Sequence, residues 1–291
     1  MRSQSSMEYL MTYGLAILTI AIILVALFSL NLFNSYTFAP KVPPGACQVL
    51  RPNGPNNNLF VTMEGGANCN GILPNYIPVF NGHNSQVNLK FDYNINRITI
   101  GAWVKTSGND EGILQLQNNT PLIYLEVGPT TVGGNPNQFV AYIRNDTTST
   151  VVILNSGSSL NNNRWHFISL RLNGTYATAY VDGVEVSNAL FKGNITLTSS
   201  AGAYYVGTIY PSQFFFNGSI SNLQIYNTSL SESEIQDLYM EGIGGTPVNL
   251  ENLVLWMPLN GNSNDYSGNG NNGASTNVNY ISNWEAGYSP P

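Results

Sequence analysis

The longest apolar run of the chain lies near its start and predicts one hydrophobic helix. Residues 16–30 consist almost wholly of Ile, Leu, Val and Ala, and no charged residue stands between Glu8 and Lys41. At about 1.5 Å of rise per residue, a helix over residues 4–34 is on the order of 45 Å long, and a bilayer needs only about 20 apolar residues. Because this helix is apolar on every side, we expect it to lie in lipid as a transmembrane helix or in a bundle of its own kind.

After the helix the pattern changes to short strands separated by turns. Apolar and polar residues alternate in stretches such as Thr99–Lys105, and Asp182-Gly183 between two apolar runs is a hairpin signal. One short helix is predicted over Ser231–Tyr239, where Ser231 and Glu234 form a capping box. The pattern predicts a mainly β chain, an antiparallel β-sandwich or jelly roll. The predicted strands are residues 77–80, 86–89, 98–105, 113–117, 122–127, 139–144, 150–154, 166–172, 176–181, 184–187, 203–207 and 216–226.

Composition limits the class of partner. Of the 291 residues only 9% are charged, against roughly 25% in an average soluble domain, and the net charge is −6. Phosphate binding needs clustered Lys and Arg, but the ten basic residues are scattered along the chain. The composition therefore argues against nucleic acid as a partner.

The two cysteines predict a disulfide. If the leading helix delivers the polar part to the outside of the cell, Cys47 and Cys69 can close a loop of about 20 residues and add on the order of 3 kcal/mol of stability. The alternative is a fragment of a metal site, but no histidine or further cysteine lies nearby in the sequence. Exterior location also makes N-glycosylation plausible, and the Asn-x-Ser/Thr acceptors are Asn118, Asn145, Asn173, Asn194, Asn217 and Asn227.

The first ten residues leave three interpretations open. A cleaved secretory signal fits poorly, because the apolar core is too long and an acidic residue precedes it. An uncleaved anchor, with Arg2 inside and the polar part outside, fits the positive-inside rule. The third interpretation is a resemblance: residues 3–10 resemble the class III signal peptide of archaeal type IV pilin-like proteins. This resemblance implies cleavage between Ser3 and Gln4, with Glu8 pairing with the new amino terminus of a neighbouring subunit in a filament.

A second resemblance covers about half of the chain, from about Phe80 to Tyr239. The segments Ile98–Lys105, Arg164–Leu170, Tyr180–Val186 and Phe216–Asn227 resemble strands of laminin-G-like, concanavalin A-like jelly rolls, in order and in spacing. Residues 253–273 resemble the opening of such a domain. Too few residues follow for a second sandwich, so we expect them to complete the first one; a truncated second domain and a strand donated to a neighbouring subunit are the alternatives.

Together these observations predict five segments. They are a leader at residues 1–3, a hydrophobic helix at 4–34, a proline-rich linker at 35–46, a laminin-G-like jelly roll at 47–245 and a segment at 246–291 that completes the same sandwich. The helix and the exterior position of the rest predict a single-pass cell-membrane protein with its large domain outside, or a subunit of an extracellular filament.

The sequence offers little for catalysis. Glycoside hydrolases need two carboxylates about 5–10 Å apart, and the Glu-x-Asp-x-Glu strand of the jelly-roll members has no counterpart in the sequence. We therefore predict no catalytic residues. Trp103 and Trp165 are expected in the core, His166 as a packed or hydrogen-bonded residue and His83 as an exposed turn residue.

Calcium is the one cofactor that the resemblance implies, because laminin-G-like domains often hold such an ion at the rim. Asp265, Asn262 and Asn264 in a glycine-rich loop could supply oxygen ligands, as could Asp110 with Glu111.

Two functions remain open. One is a surface adhesin that binds a glycan or a surface protein through loop oxygens and exposed aromatic residues. The candidates are among Tyr204, Tyr205, Tyr210, Phe214, Phe215 and Phe216, of which alternate members must face the core. The other is a purely structural pilin-like subunit with no specific ligand. A glycoside hydrolase-related enzyme is a weaker alternative.

Overall fold

The computed structural model describes residues 13–23, 25, 48–50, 60–64, 73–116, 122–128, 136–145, 148–193, 195–198, 204–210, 213–289 and 291. The chain divides into two units, Met1–Pro43 and Pro44–Pro291. In the first unit, residues 13–23 form helix α1, and apolar side chains on all its sides, such as Leu15 and Leu18, are more than half exposed. Within the described residues, no helix combines the length and the apolar character needed to cross a membrane.

The second unit is built on two large antiparallel sheets, which we call the seven-stranded and the eight-stranded sheet. The seven-stranded sheet consists of β5 (Gln86–Leu89), β8 (Glu111–Leu116), β9 (Ile123–Val127), β10 (Gln138–Arg144), β11 (Val151–Ser159), β16 (Tyr204–Val206) and β19 (Ala274–Thr276). The eight-stranded sheet consists of β4 (Ile77–Asn81), β7 (Ile98–Thr106), β12 (His166–Leu172), β13 (Tyr176–Val181), β14 (Val184–Leu190), β17 (Asn217–Tyr226), β18 (Leu253–Met257) and β20 (Asn279–Ile281). The mainly β sandwich that the sequence predicts is confirmed.

Two small sheets and one helix complete the described part. Strands β1 (Gln48–Leu50), β2 (Phe60–Glu64) and β3 (Leu73–Pro74) pair in that order, and β6 (Tyr93–Ile95) pairs with β15 (Ile195–Leu197). Helix α2 (Glu232–Met240) begins with the predicted capping box: Ser231 Oγ accepts from Glu234 N, and Glu234 Oε2 accepts from Ser231 N. Its apolar residues Ile235 and Leu238 are buried.

The strand order places residues that are distant in sequence side by side. In the seven-stranded sheet the order is β11-β10-β9-β8-β16-β5-β19, and in the eight-stranded sheet it is β14-β13-β12-β7-β17-β4-β20, with β18 also paired to β17. The predicted hairpin between β13 and β14 turns at Asp182 (φ 50°) and Gly183 (φ 76°), two successive positive φ angles that match the twist of the strands.

Residues 253–281 supply a strand to three places in the sandwich. Strand β18 pairs with β17, β19 with β5 at one edge of the seven-stranded sheet, and β20 with β4 at one edge of the eight-stranded sheet. Further on, the Trp284 indole donates to Pro74 O at 2.9 Å. The tail is therefore part of the same sandwich in this structure.

The two sheets differ in what covers their outer faces. One buried apolar cluster draws residues from both sheets and fills the space between them. A second cluster joins the eight-stranded sheet, through Trp103 and Trp256, to α2 and to Trp284 of the tail. The outer face of the seven-stranded sheet instead carries a cross-strand row with polar and aromatic members, Ile153–Tyr142–Tyr124–Gln115–Tyr205–Asn88.

Candidate functional site

Three turns that are distant in sequence meet at one end of the sandwich and form a cleft, which we call the rim cleft. They are residues 81–85 between β4 and β5, residues 107–110 between β7 and β8, and residues 207–210 and 213–216 before β17. The cleft has a volume of ≈ 510 Å³. Its lining is mostly polar and consists of Asn81, Gly82, His83, Asn109, Asp110, Glu111, Gln213, Phe214, Phe215 and Asn217.

The first turn is fixed by the side chain of Asn81. Its Oδ1 accepts hydrogen bonds from the backbone N–H groups of His83 (2.9 Å), Asn84 (3.0 Å) and Ser85 (3.2 Å). This is the local side-chain-to-backbone bonding that makes asparagine a turn residue. It holds the exposed His83 at the cleft wall and uses up the lone pairs of the Asn81 amide oxygen.

The second turn positions a buried carboxyl group. Glu111 Oε2 lies 2.6 Å from Thr106 Oγ1, which also accepts from Gly108 N at 2.9 Å. A Cβ at residue 108 would lie 1.7 Å from Glu111 Oε1, so any side chain there would require the carboxyl group to move. Asp110, between them in sequence, adopts a left-handed conformation with φ 56°.

The third segment lies across the outer face of β8. Gly112 N donates to Phe214 O at 2.8 Å, and Tyr210 N donates to Gln115 Oε1 at 2.7 Å. Only glycine fits at residue 112, because a Cβ there would meet the backbone of Ile209. The segment thus covers the centre of the seven-stranded sheet and brings Phe214 to the cleft.

Three residues of these turns have a strained backbone conformation. Asp110 (φ 56°), Tyr210 (φ 50°) and Phe214 (φ 47°) are all left-handed, and for bulky aromatic residues this conformation is unusual. Each such residue costs on the order of 1–3 kcal/mol, and residues of this kind cluster at binding and catalytic sites. Because two of these residues, Asp110 and Phe214, also line the cleft, we take the rim cleft as the candidate site.

Two glutamates beside the turns are buried without a cationic neighbour in the described structure. Burial raises the pKa of Glu111 from 4.5 to about 7, although the hydrogen bond with Thr106 and one with the backbone of Asn217 lower it. Burial, and then the nearby Asp110, raise the pKa of Glu126 from 4.5 to about 8. Glu126 lies opposite Gly112 on β8, and its Oε1 has no hydrogen-bond partner within the described structure. This region is therefore rich in oxygen acceptors and poor in positive charge.

Aromatic residues flank this acidic region on the outer face. The rings of Tyr124 and Tyr142 stack with centroids 4.3 Å apart and an angle of 7°, and Tyr210 lies 6.1 Å from Tyr124. Burial raises the pKa of Tyr124, and the nearby Tyr210 and Glu126 raise it further. The ring centroids of Tyr210 and Phe214 lie 6.3 Å apart. The rings of Tyr142, Tyr124, Tyr210 and Phe214 therefore form a series of contacts from the centre of the seven-stranded sheet to the cleft.

The candidate aromatic residues divide into buried and accessible ones, as expected if alternate members face the core. Tyr204 and Phe216 are fully buried, and Tyr204 donates its hydroxyl to Phe91 O at 2.7 Å, so neither is a surface contact. Tyr205 is buried on the outer-face row. Tyr210 is 40% exposed, and Phe214 and Phe215 line the cleft half-buried. Only the last three can reach a ligand.

In the glycine-rich loop that is a candidate calcium site, the carboxylate of Asp265 is hydrogen-bonded by protein donors. Asp265 is buried, and its carboxylate accepts four hydrogen bonds: from Trp256 N (3.1 Å) and Ser267 N (2.8 Å) on Oδ1, and from Ser267 Oγ (2.8 Å) and Asn271 N (2.9 Å) on Oδ2. A carboxylate has about four lone-pair positions, and all four are used.

The neighbouring asparagines hold the loop and the edge of β18. Asn262 Oδ1 accepts from Asn264 N at 2.9 Å, while the side chains of Ser267, Asn269 and Asn271 all donate to Val254 O. Every second side chain of this loop therefore bonds the backbone of β18 and holds the loop against the strand. These residues are Asp265, Ser267, Asn269 and Asn271.

Calcium fits the described residues of the rim cleft poorly as well. Ca²⁺ takes six to eight oxygen ligands. Asp110 and Glu111 line the cleft, but within the described part of the chain no group of three acidic, His or Cys side chains could hold a metal. The Asn109 amide oxygen already accepts from Asn137 N and Asn161 Nδ2, both at 3.2 Å.

The four described glycosylation candidates lie in different environments. Asn145 is buried, and its Nδ2 donates to Lys192 O at 2.7 Å, so the atom that a glycan would modify is engaged in the folded chain. Asn173 accepts from Thr175 N and Tyr176 N in the β12–β13 turn. Asn227 is exposed at the end of β17, and Asn217 is exposed in the wall of the rim cleft.

The remaining predicted residues are placed as follows. Trp103 and Trp165 are buried in the aromatic cluster, as predicted. His166 Nδ1 lies 2.8 Å from Asp182 Oδ2, which confirms the hydrogen-bonded interpretation. His83 is exposed as predicted but also lines the cleft. Ser3, Gln4, Glu8, Cys47, Cys69, Asn118 and Asn194 lie outside the described residues.

Sequence reasoning missed Glu126 and Gln213. The sequence does contain a signal for Glu126, which is the lone charged residue in the otherwise uncharged strand Ile123–Val127. A carboxyl group in a central strand is buried on one face or the other, so the residue could have been identified as a perturbed acid. Gln213 carries no comparable signal.

Comparison with solved structures finds similar folds in two other proteins. A crystal structure of a candidate carbohydrate-binding protein from Bacteroides ovatus matches with a TM-score of 0.58 at 16% identity, over 72% of this chain and 60% of that one. A heptameric SAP-like pentraxin from Limulus polyphemus matches with a TM-score of 0.51 at 12% identity, over 72% of this chain and 97% of that one. At these identities the likeness shows the fold, and the chain spans less than two thirds of the Bacteroides ovatus protein.

Sequence comparison gives the family. No curated protein sequence matches this chain. The family model described as the concanavalin A-like lectin/glucanases superfamily, of the laminin-G type, matches residues 81–236, which is more than half of the chain and includes every residue that lines the rim cleft. The chain belongs to the concanavalin A-like lectin/glucanases superfamily.

Proposed function

We propose that this protein is a cell-surface lectin-like module that binds a glycan in the rim cleft. The observation that carries the proposal is the cleft itself, about 510 Å³ in volume, where the strained residues Asp110 and Phe214 meet. Strained backbone persists where the surrounding structure and a function maintain it. Its position on a lectin-superfamily fold supports a saccharide as the ligand.

The lining has the chemistry that saccharides require. The side-chain amides of Gln213 and Asn217 can both donate to and accept from sugar hydroxyl groups. Phe214 and Phe215 offer apolar ring surface to the C–H face of a pyranose. In ligand sites, aromatic side chains usually provide the contact area and a few polar groups fix the orientation of the ligand. We therefore assign Phe215 as a stacking residue and Gln213 and Asn217 as hydrogen-bonding residues.

Binding without catalysis is the function that the fold comparisons support. Glu111 and Glu126 are both buried, at 4% and 1% exposure, and Glu126 does not line the cleft. A glycosidase needs two carboxyl groups that flank one scissile bond. The cleft offers Asp110 and Glu111 from one turn, which favours recognition over hydrolysis.

Residues 4–34 then serve as the attachment of the domain to the cell surface. The support is the surface of α1, where the apolar side chains of Tyr13, Leu15 and Ile17 are about two thirds exposed. A helix with apolar residues on every side needs lipid or copies of itself as its environment. Processing before Gln4 would make the same helix a filament core, with Glu8 paired to a neighbouring amino terminus.

A glycan array probed with the full-length protein tests the binding function. We expect binding to at least one saccharide class, and the Phe215→Ala variant should bind it about tenfold or more weakly, because aromatic stacking contributes on the order of 1 kcal/mol or more. Tyr176→Ala, an exposed aromatic on β13 outside the cleft, is the matched control and should bind as the wild type does. Binding to no glycan, or equal loss in both variants, would refute the proposed site.

A further inference from the structure

One segment forms part of the rim cleft and also covers the outer face of β8. It consists of residues 207–210 and 213–216, which we call the strap. The strap supplies three of the residues that line the cleft, namely Gln213, Phe214 and Phe215. A movement of the strap would therefore reshape the cleft and displace both of its phenylalanines.

The strap passes beside the buried Glu126. This residue is paired with Gly112 of β8, and paired residues of antiparallel strands project to the same face of a sheet. A Cβ added to Gly112 would meet the backbone of Thr208 and Ile209, so the strap lies directly over the position next to Glu126. Tyr210 of the strap also interacts electrostatically with Glu126. The strap therefore helps to shield a carboxyl group that is only 1% exposed.

The groups that face Glu126 offer it no positive charge. They are Tyr124 on its own strand, Asp110 in the turn before β8 and Tyr210 of the strap, while the partner on β10 is the apolar Val140. Its Oε1 has no hydrogen-bond partner in the described structure. Burial, and then Asp110, raise its pKa from 4.5 to about 8. An ionised carboxylate at this position would be buried and unpaired, which is strongly unfavourable.

The closed position of the strap is itself strained. Tyr210 (φ 50°) and Phe214 (φ 47°) are held left-handed by contacts with β8, among them the hydrogen bonds from Gly112 N to Phe214 O at 2.8 Å and from Tyr210 N to Gln115 Oε1 at 2.7 Å. If the strap lifts, these bonds are lost, but the backbone strain is relieved and water reaches Glu126. Strained segments of this kind are common in switch regions, where two arrangements lie close in free energy.

We infer that the strap is a pH-sensitive gate of the rim cleft, which stays closed over Glu126 while that carboxyl group is neutral and opens when it ionises. This inference rests on the proposed glycan-binding function and specifies how the same cleft is regulated. In the open form Glu126 is hydrated and has its ordinary pKa, so the closed form binds the proton more tightly. The opening constant therefore rises by up to about tenfold per pH unit between pH 4.5 and pH 8 and levels off above pH 8.

Hydrogen exchange on the full-length protein measures the gate without a ligand. The amides of Gly112 and Tyr210 are the reporters, because each loses its acceptor when the strap opens, and the amides of β12 report global unfolding. After correction for intrinsic exchange rates, we expect the opening constant at the reporters to exceed that at β12 and to rise about tenfold or more between pH 6 and pH 8. The rise should disappear in Glu126→Gln and persist in Glu185→Gln, an exposed change on β14.

The glycan array, probed at pH 6.0 and at pH 8.5, connects the gate to binding. Wild-type signals should be about threefold or more weaker at the higher pH, because only the closed fraction binds. Glu111 also lines the cleft, and its pKa is raised to about 7, so the wild-type change alone does not isolate the gate. The deciding quantity is the difference between proteins: Glu126→Gln should respond less to pH than the wild type, and Glu185→Gln should match the wild type.

Failure of the gate can be told from failure of glycan binding. Equal protection of the reporters and of β12 at every pH, or the same pH response in Glu126→Gln as in the wild type, would overturn the gate while glycan binding stands. If no saccharide binds at either pH, the proposed function fails, and exchange at Gly112 and Tyr210 alone decides whether the strap opens. If Glu126→Gln does not fold, a wild-type opening constant that stays flat between pH 6 and pH 8 would still overturn the gate.

Discussion

Gly108 and Glu111 depend on each other across the turn between β7 and β8. The Glu111 carboxyl group occupies the space where any side chain at residue 108 would lie. The Thr106 hydroxyl accepts a hydrogen bond from the Gly108 N–H and donates one to the Glu111 carboxyl group. The shape of the turn and the position of the buried acid are therefore set together. This coupling makes the turn sensitive to a single methyl group.

The Gly108→Ala substitution should force Glu111 out of its position. Overpacking of this kind costs about 1–3 kcal/mol, and we expect a lower midpoint in urea denaturation together with weaker glycan binding. Gly14→Ala is the matched control, because a Cβ at Gly14 meets nothing within 4 Å. Equal stability of the two variants would show that the turn can rearrange around the added methyl.

Stability should fall as pH rises through the neutral range. The pKa of Glu126 is raised from 4.5 to about 8, and that of Glu111 from 4.5 to about 7. Between pH 4.5 and these raised values, each carboxyl group keeps its proton in the folded chain and loses it in the unfolded chain. Because the folded state then binds more protons than the unfolded state, the free energy of unfolding decreases from about pH 4.5 upward and levels off above pH 8.

The Glu126→Gln variant should remove most of this dependence. Glutamine cannot ionise, so we expect the variant to gain stability over the wild type between pH 5 and pH 9, by a few kcal/mol at most. Urea denaturation at several pH values measures the difference. Glu185→Gln is the exposed control and should keep the wild-type slope; an unchanged slope for the Glu126 variant would contradict the assignment.

Replacing Asp265 should loosen the edge of β18. The Asp265→Ala variant loses four hydrogen bonds to a buried carboxylate, and we expect a loss of about 2–4 kcal/mol in unfolding free energy. Hydrogen exchange should accelerate at Trp256 and Ser267, whose N–H groups lose their acceptor. Asn264→Ala, an exposed change in the same loop, should have little effect. If Asp265 were instead a calcium ligand, a chelator would destabilise the wild type to a similar degree.

A glycan on Asn217 would occupy the rim cleft. In an N-glycosylating host, mass spectrometry of tryptic peptides should find Asn145 unmodified, because its Nδ2 is buried. Where Asn217 is modified, Ser219→Ala, which removes the acceptor sequence and leaves Asn217 in place, should restore glycan binding by the cleft, whereas Asn227→Gln, at an exposed position outside it, should not. Modification of Asn145 in the folded protein would contradict the structural argument.

The mature amino terminus tests the proposed role of residues 4–34. If the chain is processed like the pilin-like proteins that its first ten residues resemble, intact mass should show loss of Met1–Ser3 and a mature chain that starts at Gln4. Glu8→Ala should then impair filament assembly, because the acid is expected to pair with a neighbouring amino group. A product that retains Met1 and stays monomeric in detergent would favour the simple membrane anchor.

The sandwich itself follows from local patterns in the sequence. Alternation marks β7 and β13, and the Asp182-Gly183 turn fixes the hairpin because both residues tolerate positive φ. The capping box at Ser231 marks α2. Strands β6, β15 and β19 were not predicted: each has three residues, and those of β19 are all exposed, so no period of apolar residues marks them.

The rim cleft could not be read from the sequence for a different reason. Its three turns are separated by roughly 25 and 100 residues and come together only through the pairing of β4, β7 and β17. The strained conformations of Tyr210 and Phe214 depend on contacts with β8, which no local rule anticipates. Asp110 was a candidate by residue type alone.

The pairing of β19 with β5 and of β20 with β4 has a consequence for biosynthesis. Both sheets remain incomplete until residues 274–281 have left the ribosome and, for an exported domain, have crossed the membrane. Strands β4 and β5, among the earliest of the sandwich to emerge, must wait with open edges, which are prone to non-native pairing. Completion of this domain is therefore a late event after synthesis, and a cell that produces it needs to shield the nascent strands until then.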